Sequence, residues 1–464
     1  MSDAFADLDA HVEANAAARL TDFLELLRIP SISALPEHAG DCRLAASWIA
    51  DRLRSAGLEH VELAETGGSP VVYADWLHAR GAPTVLLYAH YDVQPADPLE
   101  HWVKPPFDPR VEDGHVYARG AADDKSHIHM LISAAQAWLA VRGRLPINLK
   151  FVFEGEEESG SANLDRWLEA NQARLGADLA VVSDTGFFEG NLPAITTGLR
   201  GMMYAQLDVR GSHEDLHSGG YGGSVRNPAT VLAEILAGLH RPDGRVDVPG
   251  FYDDVRMPSE TERAASARLP FDEGEYMASI GVDALFGEVG YTTLERRGIR
   301  PTLDVCGLWG GFQGEGSKTI IPATAHAKIS CRLVSDQDPQ RVFAQLQDRI
   351  KALAPEGVRV TLTFINGGLP SLMPTDHPAT KAAARCIEEV FGRAPLYVSE
   401  GGSIPVTASF GSILGLPVIL LGFMNPDCGA HAPNESLRLD NWEAGLRTTV
   451  RYWEALASLP DRTP

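Results

Sequence analysis

T-V-L-L-Y-A-H-Y-D-V, Thr84 to Val93, is a nearly unbroken apolar run that turns polar at its far end. A strand buried on both faces of a sheet reads this way, and the polar residues mark where it emerges. The emerging end carries His90 and Asp92. Two further runs repeat the pattern downstream. Ile147 to Phe153 leads into F-E-G-E-E-E-S-G-S, with Glu157 and Glu158, and Ala177 to Ser183 stops at Asp184. Helical spacing over Ser126 to Val141 and Ser161 to Leu175 separates them. Upstream, V-V-Y-A-D-W-L (Val71 to Leu77) reads as a strand. Leu20, Phe23, Leu24 and Leu27 mark a helix that Pro30 ends. Strands alternating with helices predict an α/β sheet covered on both faces.

Beyond about Gly201 the texture changes. M-M-Y-A-Q-L-D-V-R-G alternates like a half-exposed strand, as does Thr324 to Val334, and Val358 to Phe364 reads as a third. Amphipathic helices are expected over Asn227 to Leu239 and Pro339 to Leu353. This order predicts a small α+β domain. From Pro378 the buried character returns, with a helix to Phe391, the strand P-V-I-L-L-G-F and a terminal helix from Asn441. The economical division is one α/β domain made of both chain ends, residues 1–202 and 378–464, interrupted by an inserted domain, 203–377. The stretch 245–300, rich in Pro, Gly and mixed charge, gives no clear pattern.

Bulk properties narrow the function. At about 100–200 residues per domain, 464 residues suit two or more. A net charge of −22 leaves no basic footprint for nucleic acid or an anionic membrane. No run approaches the roughly 20 apolar residues of a membrane-spanning helix. The acidic start M-S-D-A-F-A-D-L-D-A lacks the features of a secretion signal. Five scattered cysteines, Cys42, Cys306, Cys331, Cys386 and Cys428, contain no C-x-x-C. A cytoplasmic protein without a disulfide framework is expected.

The chemistry gathers at strand ends. His90 and Asp92 follow one buried run, Glu157 and Glu158 another, and Asp184 a third. Asp123, in R-G-A-A-D-D-K, precedes a helix, and His431 lies in G-A-H-A-P-N-E after the last strand. Taken singly, each is an ordinary cap, turn former or surface group. Together they converge where open α/β sheets bind ligands, outside the carboxyl ends of the strands. Imidazole with carboxylate, and no thiolate, suits zinc, manganese or cobalt. A pair of metals about 3.5–4 Å apart needs a bridging carboxylate. Asp92, two residues from His90, is placed to fix its ring. Of the adjacent Glu157 and Glu158, one can ligate while the other acts as general base.

H-Y-D-V-Q-P, R-G-A-A-D-D-K, E-G-E-E-E-S-G-S, D-L-H-S-G-G-Y-G-G, S-K-T-I-I-P and E-G-G-S-I-P-V, in this order, resemble the metallopeptidase family of carnosinases, cytosolic non-specific dipeptidases, aminoacylases, glutamate carboxypeptidases and succinyl-diaminopimelate desuccinylases. The resemblance runs from L-L-R-I-P-S-I-S to G-A-H-A-P-N-E and is greatest for the carnosinase-like dipeptidase branch. It implies a zinc-peptidase-like catalytic domain with an inserted α+β lid that forms a homodimer. It implies two divalent metals, one on His90, Asp123 and Asp184, the other on Asp123, Glu158 and His431, with Asp123 bridging. Glu157 would be the general base and Asp92 the orienting acid. His217 would reach the partner subunit's site and steady the oxyanion, and Arg332 would grip the substrate carboxylate. Thr319, Ser403 and His377 would make lesser substrate contacts. The Asp123–Asp124 peptide bond is expected to be cis. Ser126 stands where the family often has Gly, and Ala122 where it often has Thr; neither is a ligand. The implied reaction is hydrolysis of short peptides with a free C-terminus. The alternatives are an aminoacylase or N-carbamoyl amidohydrolase on the same metals, and a non-catalytic dimeric binding protein.

Overall fold

The computed structural model describes residues 4–373 and 375–459. They form two compact units, the first of the described residues within 1–197, 373–398 and 404–464, the second of those within 198–372 and 399–403.

The first unit is built on strands β1 (Glu59–Ala64), β2 (Val71–Trp76), β3 (Thr84–His90), β4 (Asn148–Glu154) and β5 (Leu179–Val182), with Val418–Leu420 at the far edge. Their spatial order is β1-β2-β4-β3-β5 and then Val418–Leu420. β4, β3, β5 and the edge strand run parallel, while β1 and β2 join antiparallel. The apolar runs of β3, β4 and β5 are buried almost throughout, which requires cover on both faces. Helices α1 (Ala6–Ala14), α2 (Ala16–Leu27), α3 (Ala39–Ser55) and α4 (Lys125–Arg142) belong to this cover, with Pro378–Phe391 and Leu439–Ala457. Helix α4 is the most enclosed, and Gly143, at φ 67°, closes it in the left-handed conformation glycine favours. Among the described residues no helix is long and apolar enough to cross a membrane.

The second unit holds a four-stranded antiparallel sheet of β6 (Gly201–Arg210), β7 (Thr302–Gly310), β8 (Thr324–Leu333) and β9 (Arg359–Gly368), ordered β7-β8-β6-β9. β6 alternates buried and half-buried residues, so only one of its faces meets the core. Met203, Ala205, Leu207 and Val209 from that face pack with Val231, Leu232 and Ile235 of helix Pro228–Ala237 and with Val342, Leu346 and Ile350 of helix Pro339–Leu353. The edge strand β7 has no counterpart in the sequence reading. Its side chains are mostly exposed, so it carries no alternation to detect. The stretch 245–300 contains three short helices, Glu260–Ser266, Glu273–Ile280 and Thr293–Gly298, two of them opened by capping boxes.

Candidate metal centre

Four parallel strands deliver acids and histidines at their carboxyl ends. His90 is the last residue of β3. Glu157 and Glu158 lie on a single turn of 3-10 helix beyond β4, Asp184 follows β5, and His431 lies beyond Val418–Leu420. Gly155 makes the tight exit from β4 possible: a Cβ there would stand 2.2 Å from the Tyr91 ring. Asp123 arrives from the loop before α4, and its peptide bond to Asp124 is cis.

The expected ligands converge. His90 Nε2 lies 3.0 Å from Asp123 Oδ1 and 3.7 Å from Asp184 Oδ1. His431 Nε2 lies 3.1 Å from Asp123 Oδ2 and 3.3 Å from Glu158 Oε2. Asp123 thus turns one oxygen to each histidine, the arrangement a bridging carboxylate needs. Two ligands at about 2.0–2.1 Å on one tetrahedral ion stand roughly 3.3 Å apart, so these separations fit. The neighbouring groups His90, Asp124 and Asp184, and Asp123, Glu158 and His431, each hold their ligand atoms within 4.8 Å of one another.

The electrostatics also call for cations. Burial pushes Asp184 up to about 7, against His90, which favours its ionised form. Burial likewise pushes Glu157 well above the usual carboxylate range, and Asp184, Glu158 and Asp92 add to this while His90 opposes it. Burial raises Asp123 too, but hydrogen bonds from His431 and His90 outweigh it and hold the carboxyl low. His431 is drawn up to about 10, by Asp123 first and then Glu158. A histidine drawn upward by crowded carboxylates marks a place that favours positive charge, and the His/Asp/Glu donor set suits divalent metal.

Supporting acids hold this arrangement. His90 Nδ1 faces the Asp92 main-chain oxygen at 3.1 Å and its Oδ1 at 3.4 Å. The Asp92 carboxylate accepts the N–H groups of Glu157 (3.2 Å) and Glu158 (3.0 Å) and the Ser33 hydroxyl (2.6 Å), so it fixes the glutamate turn as well. Asp124 accepts the His90 N–H at 3.0 Å and meets His127 Nδ1; His127 Nε2 in turn accepts the Phe423 N–H. That acceptor role places the His127 proton on Nδ1.

The sequence reading assigns Ser33, His127 and Glu435 no role and names Asp124 only for its peptide bond to Asp123. Glu435, fully buried, accepts the N–H groups of Gly120, Ala122 and Asp123 at 2.9–3.0 Å and pairs with Arg119 at 2.8 Å. It grips the loop that presents Asp123. Glu435→Gln leaves the buried Arg119 without its counter-charge and should lower stability by about 3–5 kcal/mol in chemical denaturation. Metal affinity should fall roughly 10–100-fold in competition titrations. Unchanged affinity would limit Glu435 to holding the fold.

The remaining expected site residues divide. In the second unit, Leu216 and His217 pair with Ile321 and Ile320, and Ser218 N–H donates to Thr319 O, so His217 and Thr319 are neighbours. His217 Nδ1 accepts the Gly219 N–H at 3.0 Å, which leaves the ring proton on the exposed Nε2. Arg332 Nη1 donates to Ser403 Oγ at 3.1 Å, and that hydroxyl donates to Arg200 O. His377, in the first unit, caps helix Pro378–Phe391 through Nδ1, which accepts the Ala379 N–H.

A profile described as peptidase family M20/M25/M40 matches residues 86–455, a span containing all five expected metal ligands. The chain belongs to peptidase family M20/M25/M40. This M20 chain is 34% identical over 412 residues to the Cys-Gly metallodipeptidase dug1 of Schizosaccharomyces pombe, covering 88% of the chain and 87% of that relative. It is 31% identical over 395 residues to the human Beta-Ala-His dipeptidase, covering 84% and 78%. The solved structure of the di-peptidase Dug1p from Saccharomyces cerevisiae superimposes with a TM-score of 0.86 at 28% identity, over 99% of this chain and 100% of that one.

Proposed function

We propose that this M20 chain is a dinuclear metal-dependent dipeptidase, cleaving the amide bond of dipeptides or short peptides that carry a free C-terminal carboxylate. The observation that carries the reading is Asp123, which offers one oxygen to the His90 and Asp184 side and the other to the His431 and Glu158 side. His90, Asp123 and Asp184 would hold one ion, and Asp123, Glu158 and His431 the other; zinc and manganese suit the donors, as does cobalt. Bound there, the pair supplies Lewis acidity, making water acidic and polarising an amide carbonyl.

The residues do the rest. Glu157 ligates in neither group and stands beside both, its turn pinned by Asp92. It takes the proton from the attacking water and passes it to the leaving amine nitrogen. His217, with its donor fixed on Nε2, steadies the developing oxyanion in the partner's site across a homodimer formed by the inserted domain, 203–377. Arg332 receives the substrate carboxylate beside Ser403, and Thr319, the neighbour of His217, makes a lesser contact; His377 is the weakest candidate, since its Nδ1 is occupied as a cap. The five free cysteines suit a reducing cytoplasm.

Dipeptide hydrolysis by metal-loaded protein, compared with N-acetyl and N-carbamoyl amino acids, tests the reading. Dipeptides should turn over fastest; preference for either acylated amino acid would move the chain to the amidohydrolases. Arg332→Ala should then cost peptides with a free C-terminus about 2–5 kcal/mol of kcat/KM through loss of a charge-assisted contact, and their C-terminal amides far less. Equal losses would make Arg332 structural.

A further inference from the structure

A second group of metal-ligating side chains lies at the edge of the first unit's sheet. β1 and β2 pair antiparallel, with Glu59 opposite Asp75 and Glu62 opposite Tyr73. His60 and Val61 therefore stand against the single residue Ala74, which is a β-bulge. His60 has φ 48° there, a left-handed backbone uncommon outside glycine. Bulges re-aim side chains, and this one brings His60 Nδ1 to 2.7 Å from Asp75 Oδ1. Asp75 is 5% exposed, and the Tyr73 hydroxyl donates to its Oδ2 at 2.8 Å. Glu59, His60 and Asp75 each hold a ligand atom within 4.8 Å of the other two. Two residues beyond β2, His78 adds a fourth donor: its Nε2 lies 2.9 Å from Glu59 Oε2, and its ring stands edge-on to Trp76.

This group is separate from the candidate metal centre. Asp75 pairs with Lys150 in the first half of β4, whereas Glu157 and Glu158 follow the far end of that strand. The nearby cations are engaged elsewhere. Arg174 pairs with Glu62 at 2.7 Å and covers the Tyr73 ring, and Lys150 Nζ donates to the Arg174 and Gly176 carbonyls at 2.5 and 2.6 Å. Two neutral imidazoles with two carboxylates carry a net charge that one divalent ion cancels.

Donor chemistry selects the ion. Two nitrogens and two carboxylate oxygens make a closed tetrahedral set for zinc, whereas magnesium and calcium take oxygen donors. Two ligands on such an ion stand roughly 3.3 Å apart, so the His60–Asp75 contact must open by about 0.6 Å. The His60 side chain is 68% exposed and has room to do so. We propose that Glu59, His60, Asp75 and His78 bind one zinc ion, which ties the edge strand β1 to β2 across the bulge. Binding here is independent of the proposed reaction.

Isothermal titration of zinc into protein already holding its metal pair tests this, repeated on His60→Gly and His78→Gln. Glycine keeps the left-handed backbone and removes the imidazole; glutamine leaves a polar side chain at an exposed position. The parent should bind one further zinc, and each variant should bind it at least about tenfold more weakly, while holding the first two ions as the parent does. Calcium should not bind in place of the third zinc. Amide exchange over Glu59–Ala64 should slow when the third ion binds the parent. Absence of a third zinc, a third zinc held undiminished by either variant, calcium bound as tightly as zinc, or unaltered exchange over β1 would each overturn the proposal.

Discussion

Glu157→Gln should keep both metals and the fold while kcat for a dipeptide falls about 10²–10⁴-fold, the usual contribution of a general base. The loss corresponds to about 3–5 kcal/mol of transition-state stabilisation. The amide is nearly isosteric and can accept the same hydrogen bonds, but it cannot take a proton from water. Glu157 makes none of the contacts that join His90 and His431 to Asp123, Asp184 and Glu158, so the ligand groups should survive the change. Metal analysis beside steady-state kinetics checks both halves. Near-normal turnover with metals bound would reassign the base, and lost metal would make Glu157 a ligand.

His217→Ala should lower kcat about 10²–10³-fold, the expected loss of one oxyanion donor, roughly 2.7–4 kcal/mol. The stronger test uses two inactive variants. If His217 serves the partner's site, Glu157→Gln and His217→Ala chains mixed in equal amounts and re-paired should regain activity. A mixed dimer has one site with an intact Glu157 from one chain and an intact His217 from the other. Random pairing makes half the dimers mixed, with one good site of two, so roughly a quarter of parent activity should return. No recovery in a verified mixed dimer would confine His217 to its own subunit or remove it from the reaction.

The sequence exposed some of this directly and hid the rest for physical reasons. β3, β4 and β5 were legible because strands buried on both faces must be continuously apolar, and their polar ends exposed His90, Glu157, Glu158 and Asp184. Helices Pro339–Leu353 and Pro378–Phe391 were legible to the residue, since each has an apolar stripe and a proline at its first position. β7 was not, because an exposed edge strand has no face to pattern. The helices within 245–300 are too short for periodicity, although Ser259 with Glu262 and Thr292 with Glu295 form capping boxes that a finer reading would catch. Glu435 was hidden most deeply. Its partners are main-chain N–H groups more than 300 residues away, and such bonds leave no mark on the partners' side chains. Asp92 shows a partial reading: its nearness to His90 was legible, whereas its hold on the Glu157 turn required the fold.

The central claim is a metal pair bridged by Asp123. Metal-free protein titrated with zinc or manganese, with dipeptide hydrolysis and bound metal followed together, tests it most directly. Activity should rise to a plateau at two equivalents per chain, and Asp123→Ala should abolish it while weakening both sites together. Full activity at one equivalent, hydrolysis by the metal-free protein, or loss of only one ion in Asp123→Ala would contradict it.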